Sequence, residues 1–247
     1  MKRRMYKRIL AIILILCMLP LADVQVVGAK TVNAVRGVLP DFMSFMHGIG
    51  EILVDTEDEK VVVADSNGLT DLSITEDYTL TEDLEVANLS VNHARLRLNG
   101  HRLVVNGTTT LNNAGVVVDS GEWIAMKEVS VVNSYISMDD INSHVVIHGT
   151  LIWQSNVQNY LKKGILELKS NFIQQENCIF VSQDEHTILL SGTEKQEIAV
   201  QKGATNLNRI QISNTDEEGV VFHHTVLVDE WENEGSKVSF LEMDGIE

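Results

Sequence analysis

The segment Thr81–Val118 reads TEDLEVANLSVNHARLRLNGHRLVVNGTTTLNNAGVVV and decides the fold of this chain. Within it, apolar and polar residues alternate in short runs such as Leu84–Val86 and Leu96–Leu98. A period of two places successive side chains on opposite faces, which is typical of short β-strands with one buried face. Asn99-Gly100 and Asn106-Gly107 interrupt the runs, and both residue types tolerate the positive φ of tight turns. The segment therefore predicts many short strands joined by tight turns.

The same rhythm continues to Val228, and glycines separate many of the runs. The two prolines, Pro20 and Pro40, both precede this region, so no proline interrupts a strand ladder. An antiparallel sandwich or barrel and a β-solenoid both fit an all-β chain of this kind. The runs are very short and repeat a Leu/Val-x-Leu/Val-Asn-Gly theme, which favours stacked coils. We predict an all-β β-solenoid, like a right-handed parallel β-helix, with a short N-terminal helical cap.

The N-terminus has the plan of a secretory signal peptide over residues 1–29. A basic start is followed by the apolar stretch Ile9–Leu19 and by the small residues Val27-Gly28-Ala29. The alternatives are an uncleaved membrane anchor, for which the stretch is shorter than the ~20 residues required, and a lipoprotein anchored at Cys17. The sequence predicts a secreted or cell-surface protein.

The exported chain divides into three parts by composition. Residues 30–60 combine a cap of helical periodicity, with a membrane-surface helix as the alternative, and an acidic linker. Residues 61–228 form the predicted solenoid, and residues 229–247 an acidic tail.

Charge limits the partners of this protein. The whole chain has a net charge of −16, and loss of residues 1–29 leaves 14 basic and 34 acidic residues, a net charge of −20. Such a surface disfavours nucleic acid and anionic membrane. We therefore expect no nucleic acid and, after signal cleavage, no membrane among its partners. The only cysteine that stays is Cys178, so the exported chain has no intramolecular disulfide.

Four stretches in order carry a resemblance to a known group of proteins: Thr81–Val118, then GILELKSNFIQ, HTILLSGTEKQEIAV and LNRIQISNTDEEGVVFHHTVLV. They resemble the repeat region of secreted surface proteins of clostridia-like Gram-positive bacteria, where TLNLNGHTLTVNGNL precedes GTLEVKGDFTQ, HKVILSGTKKQTV and NILEITNSSGGVVF. The resemblance implies a solenoid-like, surface-associated protein without established catalytic residues. This chain departs from the theme over Asn133–Lys163.

The alternative to a binding protein is a polysaccharide lyase or hydrolase on a β-helix. Such enzymes need paired carboxylates or a calcium cluster on one face. Asp139-Asp140 is the best local pair, but adjacent residues on a strand point to opposite faces, so a solvated turn explains them as well. His144 and His148 would lie about 13 Å apart on one strand face, too far to share a metal. No common catalytic or phosphate-binding motif is present in the sequence.

The sequence therefore predicts a spacer or adhesin-like module that binds cell-surface glycan or protein, with no catalytic residues, metal or cofactor. The candidate ligand-binding residues are Trp123 and Trp153, whose flat rings could cover a sugar, with Asp139 and Asp140. Core packing explains both tryptophans equally well. A third possibility is a structural element that assembles edge to edge, because the end coils of solenoids expose strand edges.

Overall fold

The protein is described by a computed structural model at residues 25–26, 51–54, 61–63, 68–201 and 203–241. From residue 68 onward the chain winds into about eight turns of a β-solenoid. All strand pairings within 68–241 are parallel, which excludes the antiparallel sandwich. Strands are numbered β1–β25 in chain order. The short strands β1 (Gln25–Val26), β2 (Glu51–Val54) and β3 (Val61–Val63) precede the solenoid.

The coils contribute strands to three faces, A, B and C, which stack along one axis. Face A contains β4 (Leu72–Ile74), β7 (Leu89–Asn92), β10 (Thr109–Asn112), β13 (Val129–Val132), β16 (Leu151–Gln154), β18 (Phe172–Gln174), β21 (Gln196–Ala199), β23 (Val220–Phe222) and β25 (Val238–Phe240). At about 4.8 Å between neighbouring strands, these nine strands make a stack roughly 40 Å long.

Face B is shorter than face A, and face C ends in one long strand. Face B contains β5 (Tyr78–Thr79), β8 (Arg95–Arg97), β11 (Gly115–Val117) and β14 (Tyr135–Ser137), and single bridges at Met138, Leu161 and Ser182 continue it. Face C contains β6 (Leu84–Val86), β9 (Arg102–Val105), β12 (Glu122–Ala125), β15 (His144–Ile147), β17 (Ile165–Leu168), β20 (Thr187–Leu190) and β22 (Thr205–Ile212). Strand β22 also pairs with two further strands, β19 (Phe180–Val181) and β24 (Leu227–Asn233).

The most regular coils are 20 residues long, because Leu89, Thr109 and Val129 lie in register. The corner between faces A and B is turned by a residue in the left-handed region, Asn113 (φ 48°) in one coil and Asn133 (φ 46°) in the next. Asparagine adopts this conformation more readily than most residues. The corner residues therefore recur with the 20-residue period of these coils.

The two predicted Asn-Gly turns both lie at corners, but for different physical reasons. Asn99 and Gly100 have φ values of 53° and 81°, as predicted for a tight turn. Gly107 has no such φ, and its role is steric. A Cβ there would lie 2.6 Å from the carbonyl oxygen of Ala87 in the preceding coil. Only glycine allows the two backbones to approach this closely.

The inward residues of the three faces form continuous apolar rows along the axis. Leu98 and Val105 are fully buried, which confirms the alternation predicted around Asn99-Gly100. One row of face C runs from Leu103 through fully buried Trp123 to Ile210 and ends at Trp231. Because each row fills the interior, the solenoid is solid.

The predicted all-β solenoid is confirmed. The predicted signal peptide and N-terminal cap lie outside the described residues, apart from the strands β1 and β2. Parallel stacking continues beyond Val228, since β24 pairs with β22 and β25 pairs with β23.

Candidate functional site

Two tyrosines form an aromatic pair on the outside of face B. Tyr135 begins β14, and Tyr160 precedes Leu161, whose bridge to Met138 continues this face. The two rings stack with centroids 4.0 Å apart and planes 17° from parallel. Tyr160 is 37% exposed, so the pair is open to solvent.

The residues beneath and beside Tyr135 hold its ring against the surface. Arg95, Gly115 and Tyr135 lie in register on three successive coils. A Cβ on Gly115 would lie 2.6 Å from Cε2 of Tyr135, so glycine leaves room for the ring to lie over face B. The Arg95 guanidinium lies close to the Tyr135 side chain and donates to the Asp77 carboxylate at 2.8 and 3.0 Å.

The protonation states of this cluster follow from its contacts. Side-chain and backbone hydrogen bonds from Arg95 lower the pKa of Asp77, so this carboxylate is ionised at neutral pH. Burial, together with Tyr160, raises the pKa of Tyr135, so its hydroxyl stays neutral. The result is a stacked aromatic pair, partly exposed at Tyr160 and bordered by the Arg95 cation and the Tyr135 hydroxyl. We call Arg95, Tyr135 and Tyr160 the Tyr platform.

The two tryptophans predicted as ligand-binding residues are core residues. Trp123 is fully buried and Trp153 is 3% exposed. The Trp153 indole N–H donates to the carbonyl oxygens of Ser155 and Ile179 at 3.1 and 2.9 Å, and its ring packs edge-on against Phe180. Neither indole offers a face to a sugar ring in this structure, so core packing is the role that the fold gives them.

Asp139 and Asp140 lie between β14 and β15, in an irregular turn rather than on a strand. Asp140 Oδ1 accepts hydrogen bonds from the backbone and side-chain nitrogens of Asn142 at 2.8 and 3.0 Å. The hydrogen bond from the Asn142 backbone is the main cause that lowers the pKa of Asp140. Asp139 is exposed and lies 3.7 Å from the Lys162 ammonium. The two aspartates therefore lie in a turn, which is the alternative to a paired-carboxylate site that the sequence left open.

A second polar cluster lies on the outside of face C, where His144 stands between two glutamates. Its Nε2 is 3.2 Å from Glu167, and its Nδ1 is 3.8 Å from Glu122. Burial raises the pKa of Glu167, but hydrogen bonds from Lys169 and Ser191 outweigh it and hold that pKa below its usual value. A general acid needs a raised pKa, so Glu167 does not fit that role.

Sequence reasoning missed several buried polar residues that link the coils. The Gln196 amide accepts from Gly192 and Asn214 and donates to carbonyl oxygens at Leu168 and Ser170. His186 is fully buried, its Nδ1 lies 2.9 Å from the Ser182 hydroxyl, and burial lowers its pKa to about 3. These groups are closed off from solvent, so their role is structural.

In the part of the chain that the structure describes, no group of three or more His, Cys, Asp or Glu residues is arranged to hold a metal ion. None of the described segments forms a helix with the length and apolar character needed to cross a membrane. Comparison of the chain with protein-family models, curated protein sequences and solved structures found no match.

Proposed function

We propose that this chain is a secreted, non-catalytic β-solenoid that acts as a spacer or adhesin-like module and binds a cell-surface glycan. The observation that carries the proposal is the Tyr platform, an open aromatic pair fixed on a solid stack of coils. Tyrosine supplies a large rigid contact area and a polar tip, which suits a ligand with one apolar face and many hydroxyls.

The other parts of the chain serve to export this surface and to support it. The solenoid carries the Tyr platform, residues 1–29 direct the chain out of the cell, and residues 30–60 supply an N-terminal cap and an acidic linker. The resemblance to repeat regions of secreted surface proteins of clostridia-like Gram-positive bacteria supports this setting, as does the strong acidic charge, which keeps an exported protein soluble.

A glycan array with the purified protein tests the binding function. We expect the Tyr160→Ala variant to lose at least about tenfold in affinity for the glycans that the wild type binds. Met126→Ala is the matched control, because Met126 is also 37% exposed but lies just after β12 on face C. Equal binding by both variants and the wild type would place the glycan elsewhere, and no binding at all would refute the proposal.

The rival function is a polysaccharide lyase or hydrolase, which a reducing-sugar release assay on the same protein tests. We expect no release from pectic, cellulosic, mannan or peptidoglycan substrates, with or without Ca²⁺. Sustained turnover by the wild type that is lost in the Asp139→Asn, Asp140→Asn double variant would show an enzyme instead.

A further inference from the structure

The last coil of the described solenoid, residues 227–241, ends in two open strand edges. We call it the terminal coil. Its strand β24 pairs with β22 on one side, and its strand β25 pairs with β23 on one side. Among residues 68–201 and 203–241, no strand pairs with the opposite edges of β24 and β25. Unpaired N–H and C=O groups along such edges are ready to pair with another strand.

The apolar rows of the interior come to the surface at this end. Trp231 is 43% exposed and Phe240 is 56% exposed, with ring centroids 6.4 Å apart. They line a pocket of about 310 Å³ together with Val226, Val228 and Leu241. In the interior coils, the next coil covers the equivalent positions. The pocket is therefore the place where side chains of a further strand would pack.

The negative charge of the terminal coil favours a strand with basic side chains. The coil contains four acidic residues, Asp229, Glu230, Glu232 and Glu234, and one basic residue, Lys237. Within the described stack, Glu230 pairs with Arg209 of the preceding coil at 2.7 Å, whereas Glu232 forms no ion pair. Opposite charges on neighbouring strands stabilise a sheet, and like charges destabilise it. A strand that docks here is favoured when it presents Lys or Arg.

A second copy of this chain does not meet that requirement. The first coil of the solenoid is also acidic, with Asp71, Glu76, Asp77, Glu82, Asp83 and Glu85. Stacking two copies through their terminal coils, or the terminal coil on the first coil, would bring acidic residues together. The partner is therefore a different protein with a basic segment.

We propose that the terminal coil binds an extended segment of a partner protein, which adds to β24 as a further strand. The segment carries an apolar residue in register with Trp231 and Lys or Arg in register with Glu230 and Glu232. Main-chain hydrogen bonds supply affinity in this mode, and alternate side chains supply specificity. The proposal goes beyond glycan binding and does not depend on it, because the Tyr platform lies on face B, away from the terminal coil.

A synthetic peptide of seven residues, the length of β24, tests the proposal. The probe is Lys-Val-Lys-Phe-Lys-Val-Lys, compared with the same peptide carrying Glu for Lys and with a backbone N-methylated form of the Lys peptide. Binding to the full chain is followed by titration calorimetry and by the fluorescence of Trp231, the one exposed tryptophan among the described residues. We expect the Lys peptide to bind at least about tenfold more tightly than either comparison peptide.

Two charge reversals provide the matched variants. Glu232→Lys should weaken binding of the Lys peptide at least about tenfold. Glu128→Lys changes the net charge equally, at an exposed residue between β12 and β13, and should change affinity less than about twofold. Circular dichroism confirms that both variants are folded, and glycan binding should be unchanged in both.

Several results would overturn the proposal. Absence of Lys-peptide binding would do so directly, and equal weakening by both variants would show unspecific attraction to an acidic protein. Equal binding of the N-methylated peptide would exclude strand addition. Dimerisation of the wild type in sedimentation velocity, abolished by Phe240→Asp, would show that a second copy covers this end.

Discussion

Trp123 and Trp231 lie in the same inward row of face C, yet one is fully buried and the other is 43% exposed. The residue type, the strand position and the direction of the side chain are the same. The difference is that a coil follows Trp123, whereas no described strand follows Trp231 on its open side. In a solenoid, each repeat buries its apolar residues on the repeats before and after it. Burial at an inward position therefore depends on the neighbouring coils.

Charged residues show the same contrast between the interior and the terminal coil. In the interior, Glu122 contacts Arg102 of the preceding coil at 2.7 Å, and Glu167 contacts Lys169 and Ser191. In the terminal coil, Glu230 has such a contact, but Glu232 has no ion-pair partner in the described stack. The terminal coil thus exposes apolar groups that the interior coils bury, next to a glutamate without an ion-pair partner in the described stack, which is why we assign it a binding role.

The largest expected effect comes from Trp123→Ala. Removal of a fully buried tryptophan should lower the free energy of unfolding by about 3–5 kcal/mol, through lost transfer energy and a cavity. Urea unfolding followed by far-UV circular dichroism measures it. Trp123→Phe is the control, because it keeps most of the volume and removes an indole N–H that has no hydrogen-bond partner. A loss below about 1 kcal/mol for Trp123→Ala would contradict the burial of this row.

The next effect concerns the two fully buried residues that flank the predicted turns, Leu98 and Val105. Truncation of either residue to Ala should cost about 2–4 kcal/mol in the same urea experiment. A change below about 0.5 kcal/mol, which is usual for surface positions, would mean that these side chains face outward.

The alternation around these two residues shows what could be predicted from the sequence. Leu96–Leu98 has a polar residue between two apolar ones, so its inward face is defined by a period of two. Glu122–Ala125 reads EWIA, with adjacent apolar residues that face both inward and outward. No period distinguishes the two faces there, so the burial of Trp123 required the structure.

The candidate site was harder to predict than the fold, because its parts come from different coils. Tyr135 and Tyr160 lie on coils of unequal length, and the irregular segment Asn133–Lys163 contains both. Their stacking follows from the register of face B and from the room above Gly115. The contacts of Gln196 likewise reach residues 18 to 28 positions away. Local sequence patterns report strands and turns, but they do not report which corners become neighbours.

An effect of intermediate size should appear when the pH is lowered, because His186 is buried inside the solenoid. Burial lowers the pKa of His186 to about 3 in the folded protein. As the pH falls below 6.5, His186 is therefore protonated in the unfolded chain while it stays neutral in the folded protein. The contribution of neutral His186 to the free energy of unfolding is fully present above pH 6.5. It is lost as the pH falls towards 3, with a slope of about 1.4 kcal/mol per pH unit. We expect the wild type to lose about 2 kcal/mol between pH 6.5 and pH 5 through this group.

The His186→Gln variant isolates this contribution. It lacks the titrating ring, so its stability should fall less over the same range, although packing loss lowers its stability at neutral pH as well. Burial also lowers the pKa of His148, which adds a loss of the same sign in both proteins and cancels in the difference. Equal pH slopes for the wild type and the variant would show that His186 is not buried as a neutral group.

The smallest expected effect is that of Leu227→Ala in the terminal coil. It is the same chemical change as Leu98→Ala, but Leu227 is 61% exposed at the start of β24. Little packing is lost and no closed cavity forms, so the free energy of unfolding should fall by less than about 0.5 kcal/mol. Urea unfolding of the two variants side by side compares one residue type at an interior and at a terminal position. A loss from Leu227→Ala as large as that from Leu98→Ala would show that the terminal coil is covered in solution, and a loss that grows with protein concentration would identify a second copy as the cover.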